Sequence, residues 1–167
     1  MITLAGHLAN RGDQSLRIDL EPRSRLILYD GLSLGRGARG ERWAFRSLAS
    51  RVRIAEGGRP LYEDCFRLTP DQAPALATLG GAEGCAYLGT ILFGEPGRSG
   101  WEDVLGATLD LLRRTEVQGG ASLLARGGCV VRFLTPSAHA LTAFARAAWG
   151  LGRRHLLGLP PLDLRLD

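Results

Sequence analysis

The feature that most constrains this chain is a change of hydrophobic period partway along it. Between Ser15 and Leu20, the apolar Leu16, Ile18 and Leu20 alternate with Arg17 and Asp19. Between Ser50 and Ala55, Val52 and Ile54 alternate with Arg51 and Arg53. A period of two places apolar side chains on one face of an extended strand. After Ser99 the spacing changes: Val104, Leu105, Thr108, Leu111 and Leu112 recur at intervals that gather on one helical face. A chain built this way is mainly β, with its helices late.

The strands continue through Ser24 to Leu34 and through Ala86 to Phe93, "AYLGTILF". Gly57-Gly58 supplies the positive φ of a tight hairpin and leads into a strand from Leu61 to Leu68. Pro70 to Pro74 and Glu95 to Gly100 read as loops. Ser99 and Glu102 have the spacing of a capping box, opening a helix near Trp101 to Arg114. Two short strands follow, Ala121 to Leu124 and Cys129 to Leu134, across an Arg126-Gly127-Gly128 turn. Pro136-Ser137 opens a second helix, near Ser137 to Arg153, with Leu141, Phe144, Ala145, Ala148 and Trp149 on one stripe. There is no repeat or linker, so residues 1–167 form one domain.

Hydrophobic residues at 45% and charged residues at 23% exclude a disordered chain. All 21 cationic side chains are Arg, spread along the sequence. The net charge of +4 permits an acidic partner but does not require nucleic acid, and no aromatic residues interleave with a basic run to stack bases. Cys65, Cys85 and Cys129 lack C-x-x-C spacing and read as small buried hydrophobes in a reducing compartment. His7, His139 and His155 are scattered and converge on no metal. The N-terminal stretch has no basic n-region or long apolar run, and no segment is apolar for the roughly 18 residues of a membrane span. The expected location is the cytoplasm.

Gly35-Arg36-Gly37-Ala38-Arg39-Gly40 satisfies the G-x-G-x-x-G pattern. A dinucleotide loop needs a strand before it, a helix after it and further β-α-β units. Asp30, Gly31 and Ser33 interrupt the preceding strand, and hairpin strands follow instead of such units. A Walker loop has no Lys to use. The glycines are expected to make a turn or bulge between strands, without bound nucleotide. No G-x-S-x-G or Cys/His pairing supports a nucleophilic enzyme.

The segment "ILYDGLSLGRGARGERWAFRSLASRVRIAEGGRPLYEDCFRL" resembles the central signature of the UreD (UreH) family of urease accessory proteins. The matching positions are Asp30, Gly35-Arg36, Gly40-Glu41, Phe45, Gly58-Arg59, Leu61 and Leu68. "LGTILFG", "GGCVVRFL", the Ala-Trp of the second helix and "LLGLPPLDLRL" extend the resemblance from about Leu16 onward. Family members are longer at the N-terminus, so this chain begins inside the family pattern. It also ends on Asp163-Leu164-Arg165-Leu166-Asp167 where an aromatic and basic ending is usual.

The resemblance implies an elongated, helix-like stack of β-strands with two α-helices, and a non-enzymatic role. Such proteins bind urease apoprotein and, with the accessory proteins UreF and UreG, support nickel delivery through a polar interior route. No tightly bound cofactor is implied; nickel is cargo in transit, touched by ligands that release it. Glu41, at the family's Gly-Glu position, is the first candidate for a transient nickel contact. It reads equally as a solvated carboxylate or one paired with Arg36 or Arg39. Asp30 is the second candidate, or the cap of a turn. Gly35, Arg36 and Gly40 shape the motif. Trp101 and Trp149 sit on core-facing stripes and are also candidate partner anchors. The alternative is a β-rich interaction protein or remnant that no longer supports metal delivery.

Overall fold

A computed structural model describes residues 2–6, 11–33, 35–36, 41–42, 46–72, 75 and 84–162. In chain order the strands are β1 (Ile2–Gly6), β2 (Arg11–Leu20), β3 (Leu26–Ser33), β4 (Gly35–Arg36), β5 (Glu41–Arg42), β6 (Ser47–Glu56), β7 (Arg59–Leu68) and β8 (Tyr87–Gly94). Helix α1 (Glu102–Arg113) precedes β9 (Gln118–Leu123) and β10 (Gly128–Thr135), and α2 (Ala138–Gly152) runs on into a π-helical turn, Arg153–Leu157, which comes last. The protein is mainly β, with its two helices in the C-terminal third, as the change of period predicts.

The strands form two main sheets. One has the order β1-β3-β8-β10-β9 and the other β2-β6-β7. From β1 the chain enters the second sheet at β2, returns to lie parallel to β1 at β3, then crosses again to lie parallel to β2 at β6. This alternation winds the first half of the chain like a turn of a β-helix, which is the stacked architecture the family resemblance implies. The second half closes with antiparallel ladders: β3 with β8, β8 with β10, and β10 with β9.

Side-chain parity decides which layer each residue enters. Leu26 and Leu28 of β3 and Leu92 of β8 face the second sheet, where they meet Val52, Ile54, Leu61 and Tyr62. The odd-numbered Ile27, Ile91, Phe93, Cys129, Val131 and Phe133 face the other way and pack against the helices through Val104, Leu112, Phe144 and Ala148. The middle strands are thus covered on both faces, which explains why "AYLGTILF" shows no polar side. Phe133 and Phe144, each 1% exposed, anchor the helix layer with ring centroids 4.4 Å apart. Burial of each ring contributes about 2 kcal/mol.

Local sequence accounts for the connections. Gly57 and Gly58 take φ of 56° and 77°, the mirror-image turn that matches strand twist. Ser137 caps α2 by accepting from the Ala140 amide at 3.1 Å. The capping box expected from Ser99 and Glu102 does not form. Gly100 turns the chain at φ 78°, and Trp101 becomes the N-cap without a side-chain bond. Its carbonyl accepts from the Leu105 amide at 2.9 Å. Cys65 is exposed and so departs from the buried-thiol expectation, because the odd positions of β7 beyond Tyr62 point away from the sheet interface; Cys85 and Cys129 are buried. Among the described residues no helix is long and apolar enough to cross a membrane.

Candidate functional site: a polar belt between the sheets

The apolar layer between the two sheets is interrupted. On one side lie Leu26, Leu28, Val52, Ile54 and Leu92; on the other, Leu32 and Leu48 with Phe66, Leu68 and Leu88 against them. Between these clusters every middle strand carries a polar residue at a core-facing parity. Asp30 of β3 stands opposite Thr90 of β8, and Thr90 opposite Arg132 of β10. The second sheet supplies Gln14 from β2 and Asp64 from β7.

The belt is held by contacts that cross the gap. Gln14 Nε2 donates to Asp30 Oδ1 at 3.5 Å, the long end of a hydrogen bond. Arg132 Nη2 lies 2.7 Å from Asp64 Oδ1 and donates to the Tyr62 hydroxyl at 3.2 Å. The Tyr62 hydroxyl in turn donates to Asp64 Oδ2 at 3.3 Å. The Arg132 side chain remains 54% exposed against 22% for Asp64, so the belt reaches solvent at the β10 side. A second clasp sits at the turns, where Arg126 Nη2 lies 3.0 Å from Glu56 Oε2 and Nη1 donates to the Arg59 carbonyl.

Asp30 is the electrostatically strained member. Burial raises its carboxyl pKa above the ordinary carboxylate value, the Asp64 charge adds to the rise, and the Gln14 hydrogen bond opposes it. Arg132 is engaged by Asp64 and Tyr62, so the Asp30 charge is only weakly compensated. Tyr29 is pushed up to about 12, chiefly by burial and then by the Asp30 charge. Carboxylate, amide and hydroxyl oxygens are the ligand types that hard divalent cations take. Among the described residues there is no cluster of three or more His, Cys, Asp and Glu able to hold a metal firmly.

The other sequence candidates are placed as follows. Gly35 and Arg36 pair antiparallel with Arg42 and Glu41, and β6 is the next element, in place of the helix a dinucleotide loop needs. The register sets Arg36 opposite Glu41. Gly37, Ala38, Arg39 and Gly40 lie outside the described residues. Trp101 is 5% exposed: its indole N–H donates to the Arg98 carbonyl at 2.9 Å, and Arg98 stacks 5.6 Å from the ring centre. That ring packs into the chain's own core. Trp149 is half-buried against the same core. Gln14, Tyr62, Asp64 and Arg132 were missed by sequence reasoning. The available signal was parity, because Gln14, Asp64 and Arg132 each interrupt an otherwise apolar core-facing series.

Comparison with known proteins agrees with the resemblance in the motif. The family model described as UreD urease accessory protein matches residues 9–167. A urease accessory protein UreD of Sorangium cellulosum is 37% identical over 139 residues, covering 83% of this chain and 44% of that protein. Its namesake from Anaeromyxobacter sp. is 34% identical over 142 residues, covering 80% and 45%. That from Haloarcula marismortui is 34% identical over 157 residues, covering 92% and 51%. The chain spans about half the length of these curated relatives. The chain belongs to the UreD family of urease accessory proteins.

Proposed function

We propose that this chain acts in urease maturation, binding urease apoprotein together with UreF and UreG and easing the passage of nickel toward the urease active site. The observation that carries the reading is the polar belt, above all Asp30 with its raised pKa in the gap between the sheets. A carriage protein needs ligands that attract Ni(II) and then let it go, and one or two carboxylates with water meet that need better than a closed set of imidazoles or thiolates. Glu41, opposite Arg36 in the motif, is the second proposed contact. Trp149 is a proposed partner contact on α2. No bond-making or bond-breaking step is assigned to the chain.

A second reading, a β-rich interaction protein without nickel delivery, is favoured by one observation: the Asp64 carboxylate of the belt is already engaged by Arg132 at 2.7 Å. Co-expression of the full chain with the urease subunits, UreF and UreG, followed by pull-down, separates the readings. Association together with nickel loading supports delivery. Association without loading supports the interaction protein. Failure to associate with any of them overturns both.

A further inference from the structure

Away from the belt, the outer side of the helix layer carries an open groove of about 460 Å³. Its floor is apolar, formed by Leu111 of α1 and by Ala147 and Leu151 of α2; Arg114, Arg146 and Arg154 surround it. Among the described residues the one carboxylate on its lining, Asp110, is already engaged by Arg113 at 2.8 Å. Arg114 and Arg154 follow helix ends, where cations are commonly favoured by the dipole. Arg146 lies mid-helix, where that explanation fails.

We propose that this groove docks an acidic, leucine-bearing segment of a partner protein, laid helically along the α1–α2 pair. Charge complementarity selects the occupant. Three arginines around an apolar floor suit a segment that offers carboxylates and aliphatic side chains together. A second copy of this chain, with its net charge of +4, would bring like charge to the same place. Nucleic acid would satisfy the arginines but leave the floor unfilled, and the lining holds no aromatic ring on which a base can stack. The proposal does not depend on the reading of the belt, because no belt residue lines the groove.

The test is titration of the full chain with a short helical peptide carrying Glu and Leu on one face. An otherwise identical peptide with Gln in place of Glu, a single-stranded oligonucleotide and anionic vesicles serve as comparisons. Expected results are saturable binding of the acidic peptide, weaker at high salt, and about threefold weaker for each of Arg114→Gln, Arg146→Gln and Arg154→Gln. Ala147→Trp, at an exposed position where the larger ring fills the groove without entering the core, should abolish binding while the melting temperature holds. The Gln peptide should bind about tenfold more weakly. Absence of saturable binding, binding unchanged by these substitutions, or preference for the oligonucleotide or the vesicles overturns the proposal.

Discussion

Arg132 of β10 reaches across the gap between the sheets to Asp64 of β7 at 2.7 Å and leaves Asp30, two strands along its own sheet, without an arginine partner among the described residues. The pair therefore divides the belt into a compensated end and an uncompensated one. Arg132 is half exposed, so solvent screens much of its attraction. We expect Arg132→Gln to cost only about 1 kcal/mol in chemical denaturation. Asp64→Asn in that background should return part of the loss, since the Asp30–Asp64 repulsion then disappears. Additive losses in the double variant would contradict the coupling.

Asp30 makes a prediction about pH. Its folded-state pKa is raised, so between the unfolded and folded values the native state holds a proton that the unfolded chain releases. Stability from this group is therefore greatest below the unfolded pKa and declines as pH rises through the folded one. Asp30→Asn should flatten that decline, making the variant the more stable form near neutrality and removing its advantage in acid. Denaturation midpoints across the acidic range check it. An Asp30→Asn variant less stable at neutral pH than in acid, relative to the native chain, would contradict the sign.

Much of this architecture can be read from period and parity, and some of it cannot. Leu16, Ile18 and Leu20 announce a half-buried strand, and Gly57-Gly58 announces its hairpin, because both signals are local. The partnering of β2 with β6 depends on a crossover between sheets and leaves no local trace. Asp30 was found through its place in the motif. Asp64 and Arg132 were passed over because a charged residue in a strand reads first as a solvated one, and only the far sheet makes each a core-facing group. Trp101 shows the converse, a residue type suited to interfaces whose core-facing stripe the chain uses for its own packing. The Ser99 capping box failed because Gly100 turns the backbone before a helix can start there.

The helix layer depends on Phe144, whose ring meets Phe133 at 4.4 Å between centroids. Phe144→Ala should cost roughly 3–5 kcal/mol. Gly89 makes the complementary point, since a methyl group there would collide with the Phe133 ring. Gly89→Ala should cost about 1–3 kcal/mol, and Phe133→Leu should ease that added strain in the double variant. Equilibrium unfolding of the native chain and the four variants measures both effects; a Phe144→Ala loss under about 1 kcal/mol would place that ring outside the core.

The thiols should separate by reactivity. Cys129 is fully buried, and burial pushes its thiol up to about 11, so it should resist alkylation in the native state. Cys65 lies exposed on the outer face of β7 and should react quickly. Iodoacetamide labelling followed by peptide mass analysis should modify Cys65 alone until denaturant is added. Early modification of Cys129 would contradict the packing of β10 against the helices.

The most direct test of the belt as a nickel contact is the nickel content of urease purified after co-expression with UreF, UreG and either the native chain or Asp30→Asn. Asn keeps the size of Asp and its acceptor oxygen toward Gln14, but a neutral amide binds a divalent ion less well than a carboxylate. The account predicts that Asp30→Asn still associates with its partners and that nickel per urease falls, with Glu41→Gln acting in the same direction. Full nickel loading with Asp30→Asn, at unchanged association, would contradict it.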